Sequence, residues 1–297
     1  MDRRCVLAGF DGSRAAGQAV RWAAVEAAKR GASLRVCHAW NWPYPVRPED
    51  EAALAIVRAM GAMVLDEGVR IARETAPDLD IAPLLLKGSP PGVLLDAGAK
   101  AELTVIGNRG SGGFDALPLG STAAQVPAHA DRPVVVVPAG APHPRPAGAA
   151  RVVVGVDGSP AGDAALRFAL REAGLHGATV TAICAWWDPA VLPSPDRLPF
   201  TDPEKLKEQA KARFEATVAH GLAGCPEVAV ERRFVMERAQ RVLADNARGA
   251  SLLVVGDRGI GSSPRTLLGA VTRAVLHEAP APVAIVPEPG RRPRRPG

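Results

Sequence analysis

Short apolar runs of four to eight residues alternate along this chain with longer stretches whose apolar residues recur every three or four positions. Cys5-Val6-Leu7-Ala8-Gly9-Phe10 has the unbroken apolar character of a strand buried on both faces, and Asp11-Gly12-Ser13 ends it. Ser13 is placed to cap a helix in which Val20, Ala23, Ala24 and Ala27 form one stripe, and Gly31 stops that helix. Ser33 to Trp40 predicts the second strand. A long helix is expected over Glu49 to Thr75, with Leu54, Val57, Met60, Val64 and Ile71 facing inward and a charged outer side. Then follow a strand over Ile81 to Leu86, a helix over Val93 to Lys100, a strand over Leu103 to Ile106, a helix from Ser121 and a closing strand in Pro133-Val134-Val135-Val136-Val137-Pro138. Strands alternating with helices in this way predict an α/β unit built on a parallel sheet covered on both faces.

The pattern then restarts. Gly140 to Ala149 carries three prolines and no periodicity, which reads as a semi-rigid connector. Val152-Val153-Val154-Gly155-Val156-Asp157-Gly158-Ser159-Pro160 repeats the opening, with Pro160 at the first helical position, where its missing N–H costs nothing. Gly9, Asp11 and Trp40 recur 146 positions later as Gly155, Asp157 and Trp186. A period this long means duplicated domains, because solenoid repeats are much shorter. The expected organisation is a first domain over 1–139, a linker over 140–150, a second domain over 151–288 and a basic disordered tail over 289–297.

The chemistry is concentrated in one repeated stretch. After Leu103-Thr104-Val105-Ile106 comes Gly107-Asn108-Arg109-Gly110-Ser111-Gly112-Gly113, and Gly120-Ser121-Thr122 opens the next helix. Glycines there let the backbone turn and present N–H groups with no Cβ in the way, and the first amides of a helix are unsatisfied and sit at the positive end of its dipole. Strand, glycine loop and helix start together make a phosphate cradle, to which the Ser121 or Thr122 hydroxyl adds a donor. The second copy follows Leu252-Leu253-Val254-Val255: Gly256, Gly259 and Gly269 stand 149 positions after Gly107, Gly110 and Gly120.

Composition narrows the field. The net charge of +5 is carried largely by Arg291, Arg292, Arg294 and Arg295 in the last seven residues, so the body is nearly neutral and nucleic acid is not the expected partner. Cys5, Cys37, Cys184 and Cys225 are isolated, with no Cys-x-x-Cys pair and no histidine cluster at metal-ligand spacing. The opening apolar run is too short for a signal-peptide core, and no run reaches membrane-spanning length. A cytoplasmic protein without a bound metal is expected. The histidines do not recur between the repeats, no Gly-x-Ser-x-Gly elbow occurs, and no glycine is followed by lysine and Ser/Thr, so neither a hydrolase triad nor a Walker loop is present.

A first strand ending in Asp-Gly-Ser, the spacing Gly-x2-Gly-x9-Gly-Ser from Gly107 to Ser121, and the closing Pro-Val-Val-Val-Val strand together resemble the universal stress protein family, in a tandem two-domain form. The resemblance implies two open five-stranded parallel sheets of order 3-2-1-4-5, each flanked by helices, with ligands bound outside the carboxyl ends where the order reverses. It further implies ATP as the ligand, with or without Mg2+. Asp11 would lie near the adenosine, Ala39 would line the base pocket and Gly9 would let the nucleotide lie close to the first strand. The backbone of Gly107, Arg109, Gly110, Ser111, Gly112 and Gly113 would surround the phosphates, with Gly120, Ser121 and Thr122 closing the site. By the same match the second domain would use Gly155, Asp157, Ala185, Gly256, Arg258, Gly259, Gly261, Gly269 and Ala270.

Ala270 in place of a serine and Pro264 in the loop predict weaker occupancy of the second site. Two roles stay open for Asp11 and Asp157, ligand contact or local capping, and two for Arg109 and Arg258, phosphate contact or solvated loop. The function implied is a nucleotide-dependent regulator in stress or dormancy, a binding protein with at most weak ATP hydrolysis, paired as a homodimer or between its own domains, its protein partner unnamed. The alternatives are a nucleotide-independent dimerisation scaffold, using the edge strands Val134–Val137 and Val283–Val286, and a slow ATPase.

Overall fold

A computed structural model describes residues 4–42, 51–111, 119–141, 150–186, 202–260, 262–263 and 266–290. Most of the proline connector, the Arg/Pro tail, Trp42's following Pro-rich segment, Gly112, Gly113, Gly261 and Pro264 lie outside them. The chain divides into two compact units, the first within 1–143 and the second within 144–290.

In the first unit the elements run β1 (Cys5–Gly9), α1 (Arg14–Arg30), β2 (Ser33–Trp40), α2 (Glu51–Thr75), β3 (Ile81–Lys87), α3 (Pro90–Gly98), β4 (Leu103–Gly107), α4 (Ser121–His129) and β5 (Val134–Val137). Their order across the sheet is β3-β2-β1-β4-β5, with β1 parallel to both β2 and β4. The second unit repeats it with β6 (Arg151–Gly155), α5 (Pro160–His176), β7 (Thr179–Ala185), α6 (Pro203–Leu222), β8 (Val230–Val235), α7 (Ala239–Ala247), β9 (Leu252–Gly256), α8 (Ala270–Glu278) and β10 (Val283–Val286), in the order β8-β7-β6-β9-β10. The reversal of order therefore falls between β1 and β4, and between β6 and β9.

The core explains why these runs are strands. Val6, Ala8, Leu103 and Val105 in the first unit, and Val153, Val154, Leu253 and Val254 in the second, are completely buried, as central parallel strands with helices on both faces require. Helix α1 presents Ala19, Val20, Ala23, Ala24 and Ala27, all fully buried, and such small side chains let the helix lie close to the sheet. Ser13 and Ser159 cap α1 and α5 by accepting the N–H of Ala16 and Gly162 at 3.1 and 3.0 Å. Both helices end on a left-handed glycine, Gly31 and Gly177.

Two expectations need correction. Helix α3 starts at Pro90 rather than Val93 and ends at Gly98, because Pro90 and Pro91 occupy the first helical positions, where a missing N–H is harmless. Met60 does not face inward: it is 61% exposed, together with Ile56 and Met63, so the exposed side of the first half of α2 carries apolar residues beside Glu51 and Arg58. In the second half Arg70 bridges Glu67 and Glu74. The inward positions there are taken by Gly61, Leu65, Gly68, Val69, Ile71 and Ala72; Gly68 packs on the Phe10 ring, which a Cβ would approach to 2.7 Å.

Candidate functional site

Each unit has a cavity at its switch point. In the first, β1 and β4 end side by side and their following loops diverge around a volume of about 410 Å³. Gly9, Asp11, Ala39, Gly107, Arg109, Gly110, Ser111, Gly120, Ser121 and Thr122 all line it. The second unit has its counterpart of about 430 Å³, lined by Gly155, Asp157, Ala185, Gly256, Arg258, Gly259, Gly269 and Ala270. Thus each expected site residue that is described lies at one of the two cavities. Gly112, Gly113 and Gly261 lie outside the described residues.

The glycines are required by close approach, since neither Gly107 nor Gly110 has a positive φ. A Cβ on Gly107 would stand 2.7 Å from the Ala15 carbonyl carbon and the Ala16 nitrogen, at the start of α1. The end of β4 and the first turn of α1 therefore touch backbone to backbone, and Gly256 meets Ala161 in the same way at 2.8 Å. A Cβ on Gly110 would stand 2.6 Å from Asp11 Oδ2, and one on Gly259 2.5 Å from Asp157 Oδ2. Gly9 lines the cavity, but its missing side chain also makes room for Leu94 and Ile106, which a Cβ would meet at 3.1 and 3.2 Å.

What fills the space over Gly110 is a brace. Asp11 Oδ1 accepts the N–H of Ser13 at 3.0 Å, and Oδ2 accepts the N–H of Ser111 at 2.9 Å, one hundred residues away. Ser13 Oγ adds a bond to the Arg109 carbonyl at 3.1 Å. In the second unit Asp157 accepts from Ser159 and Ile260, both at 2.9 Å. The carboxylates thus tie the loop after the first strand to the glycine loop after the fourth. Each spends a lone pair of both oxygens on backbone amides and so fixes the glycine loop that lines the cavity.

The far side of the glycine loop is set by a second repeated bond. Gly120 N–H donates to the Asn108 carbonyl, and Gly269 N–H to the Asp257 carbonyl, each at 2.8 Å. Gly120 and Gly269 are extended N-caps without a side chain, and neither α4 nor α8 has an acidic residue in its first turn. The first amides of both helices are therefore left for an anion.

The two cavities differ in their cations. Arg109 is exposed at the loop. Arg258 is only 18% exposed, with Nη2 2.7 Å from Glu288 and Nε 3.6 Å from the fully buried Asp257. Asp257 replaces Asn108, and its Oδ1 also accepts the Glu288 N–H at 3.2 Å. Trp40 stands apart: it packs beneath the Lys87 ammonium, 5.6 Å from the ring centre, and is not among the residues lining the first cavity. Pro90 and Leu94 of α3, together with Phe10, form the apolar wall instead, which the pattern of the sequence did not single out. A Pro-Pro helix start one residue after Ser89 is the signal that places them near a strand end.

Burial makes the cysteines near the sites inert. Cys37 lines the first cavity and desolvation pushes its thiol up to about 11; burial, and secondarily the Asp157 carboxylate, pushes Cys184 to about 11. Thiolate is the reactive form, so these two stay unreactive at neutral pH. We expect a thiol reagent to label the folded protein at Cys225, the half-buried one, and to leave buried Cys5, Cys37 and Cys184 until denaturant is added. Mass-spectrometric mapping of modified peptides checks this; rapid labelling of Cys37 in the folded protein contradicts it.

The universal stress protein family model matches residues 3–138 and 149–287, once over each unit. The chain belongs to the universal stress protein family. It is a tandem two-domain member, and relatives share that length. A universal stress protein of Mycobacterium tuberculosis is 33% identical over 298 residues, covering 94% of this chain and 96% of the relative. Another from Mycolicibacterium smegmatis is 31% identical over 292 residues, covering 95% and 96%. Among solved structures, a universal stress protein from Archaeoglobus fulgidus has a TM-score of 0.67 at 17% identity and covers 96% of both chains, a likeness of fold. Among the described residues no helix is long and apolar enough to cross a membrane.

Proposed function

We propose that this universal stress protein binds an adenine nucleotide, ATP being the ligand that the family resemblance implies, and acts in the cytoplasm as a nucleotide-dependent regulator in stress or dormancy. The observation that carries the reading is the repetition of one anion-ready arrangement. In both units a braced glycine loop and an uncapped helix start converge on a cavity at the switch point of the sheet. The polar end of the first cavity, at Gly110, Ser111, Ser121 and Thr122, suits phosphates, and the apolar end, at Phe10, Pro90 and Leu94, suits a nucleoside.

The fit to magnesium is looser. Asp11 is the carboxylate at the first cavity and already braces two amides, so Mg2+ would arrive on the phosphates and keep most of its water. Among the described residues lining the first cavity there is no lysine and no second carboxylate to drive phosphoryl transfer. Regulation requires the nucleotide to prefer one of two states of the protein, and its effect is bounded by that difference in affinity.

Native mass spectrometry of the freshly purified full chain tests the reading. Adenine nucleotide bound to the folded protein, or taken up on adding millimolar ATP and magnesium, is the expected result. Protein that stays empty with ATP, ADP, AMP and adenosine alike overturns it.

A further inference from the structure

The geometry points to Arg273, on the fourth position of α8, as the residue that holds the phosphate of a nucleotide in the second cavity, in place of the loop arginine and the helix-start hydroxyl available to the first. This deepens the proposed nucleotide site and rests on that reading. Three observations converge. First, the loop cation of the second unit is already engaged: Arg258 lies 2.7 Å from Glu288 and 3.6 Å from Asp257, whose carboxylate is completely buried. To reach a phosphate, that guanidinium would have to leave two carboxylates and strand a buried charge. Its equivalent Arg109 follows Asn108, not an aspartate, and faces solvent.

Second, the hydroxyls at the helix start are gone or occupied. Ala270 and Val271 stand where Ser121 and Thr122 stand in the first unit, and Thr272 donates its Oγ1 hydrogen inward to the Gly256 carbonyl at 2.7 Å. Third, Arg273 lines the second cavity and is exposed, whereas the corresponding Ala124 has no charge to offer. A cation this close to a helix N-terminus faces the positive end of the dipole, an unfavourable placement that an anion between them would relieve. The guanidinium provides a planar pair of N–H donors matched to two phosphate oxygens. The second cavity therefore offers a phosphorylated ligand one flexible cation on α8 in place of the hydroxyls at the helix start, while Ser262, Ser263 and Thr266 also line it, and the weaker occupancy expected from Ala270 does not follow.

The test is titration of the full chain with ATP and, separately, with adenosine, counting bound equivalents by native mass spectrometry, for the parent protein and for R273Q, R273K and R258Q. In R273Q one of two ATP-binding events is expected to weaken about ten- to hundred-fold, the range for losing a charged hydrogen bond. Adenosine binding stays as in the parent, and R273K recovers part of the lost ATP affinity. R258Q, which unpairs the buried Asp257 carboxylate, is expected to lower the melting temperature. An ATP titration that R273Q leaves unchanged, or adenosine affinity that falls in parallel, overturns the assignment of Arg273 while the nucleotide reading stands. A parent chain that takes up no nucleotide at all overturns both.

Discussion

A Gly107→Ala protein is expected to melt about 4–8 °C below the parent and to bind nucleotide in its first cavity at least about tenfold more weakly. The added methyl would sit 2.7 Å from the backbone of Ala15 and Ala16, atoms that cannot rotate aside as a side chain can. Either β4 or the first turn of α1 must retreat. Overpacking of this kind costs about 1–3 kcal/mol, and about 2 kcal/mol in a unit of this size corresponds to the melting shift stated. The same retreat carries Ser13 away from the Arg109 carbonyl, 3.1 Å off in the parent, and so loosens the loop that would face the phosphates. Gly140→Ala is the control, because a Cβ there meets nothing within 4 Å. Calorimetric scans of both variants, with ATP titrations alongside, decide the matter. If Gly107→Ala melts with Gly140→Ala, strand and helix are not in the backbone contact described.

The strands and the glycine loops were legible because they rest on local signals, whereas the strand order was implied by the family resemblance. Unbroken apolar runs such as Leu252 to Val255 mark buried parallel strands, Ser13 and Ser159 mark helix starts, and a spacing kept across 149 positions marks a duplicated function. The reason for Gly107 was not legible, since the backbone it touches lies some ninety positions earlier in the chain. Nor was the exposure of Met60: its place in the helical stripe fits the core, but burial along α2 begins only at Gly61 and continues through Leu65, Val69 and Ala72. Arg273 escaped for a different reason. Matching the repeats by glycines and serines directs attention to what the second copy has lost, Ser121 becoming Ala270. The compensating charge stands one turn further on, where the motif makes no demand.

The role of Asp11 is where sequence and structure diverge most usefully, and Asp11→Asn separates the two readings. A carboxamide retains one acceptor and turns its NH2 toward the other backbone donor, so either Ser13 N–H or Ser111 N–H loses its partner whichever way the group is rotated. A hydrogen bond to a charged acceptor contributes about 1.5–3 kcal/mol, and at this partly exposed site the lower end applies. Amide exchange at Ser111 or Ser13 in the ligand-free protein is therefore expected to speed up about tenfold, with ATP affinity falling by a similar factor as the loop loses its set. Asp157→Asn should do the same at Ile260 or Ser159 in the second unit. Were the carboxylate instead a direct contact to the nucleoside, as the family resemblance implies, affinity for adenosine would fall while exchange in the empty protein stayed unchanged. The brace explains why an aspartate recurs with a glycine opposite it in both units: a Cβ on Gly110 or Gly259 would fall within 2.6 Å of Oδ2, so carboxylate and glycine form a single device. On that account Gly110→Ala and Asp11→Asn, made together, should cost less than the sum of the two changes, because each removes the same bond to Ser111.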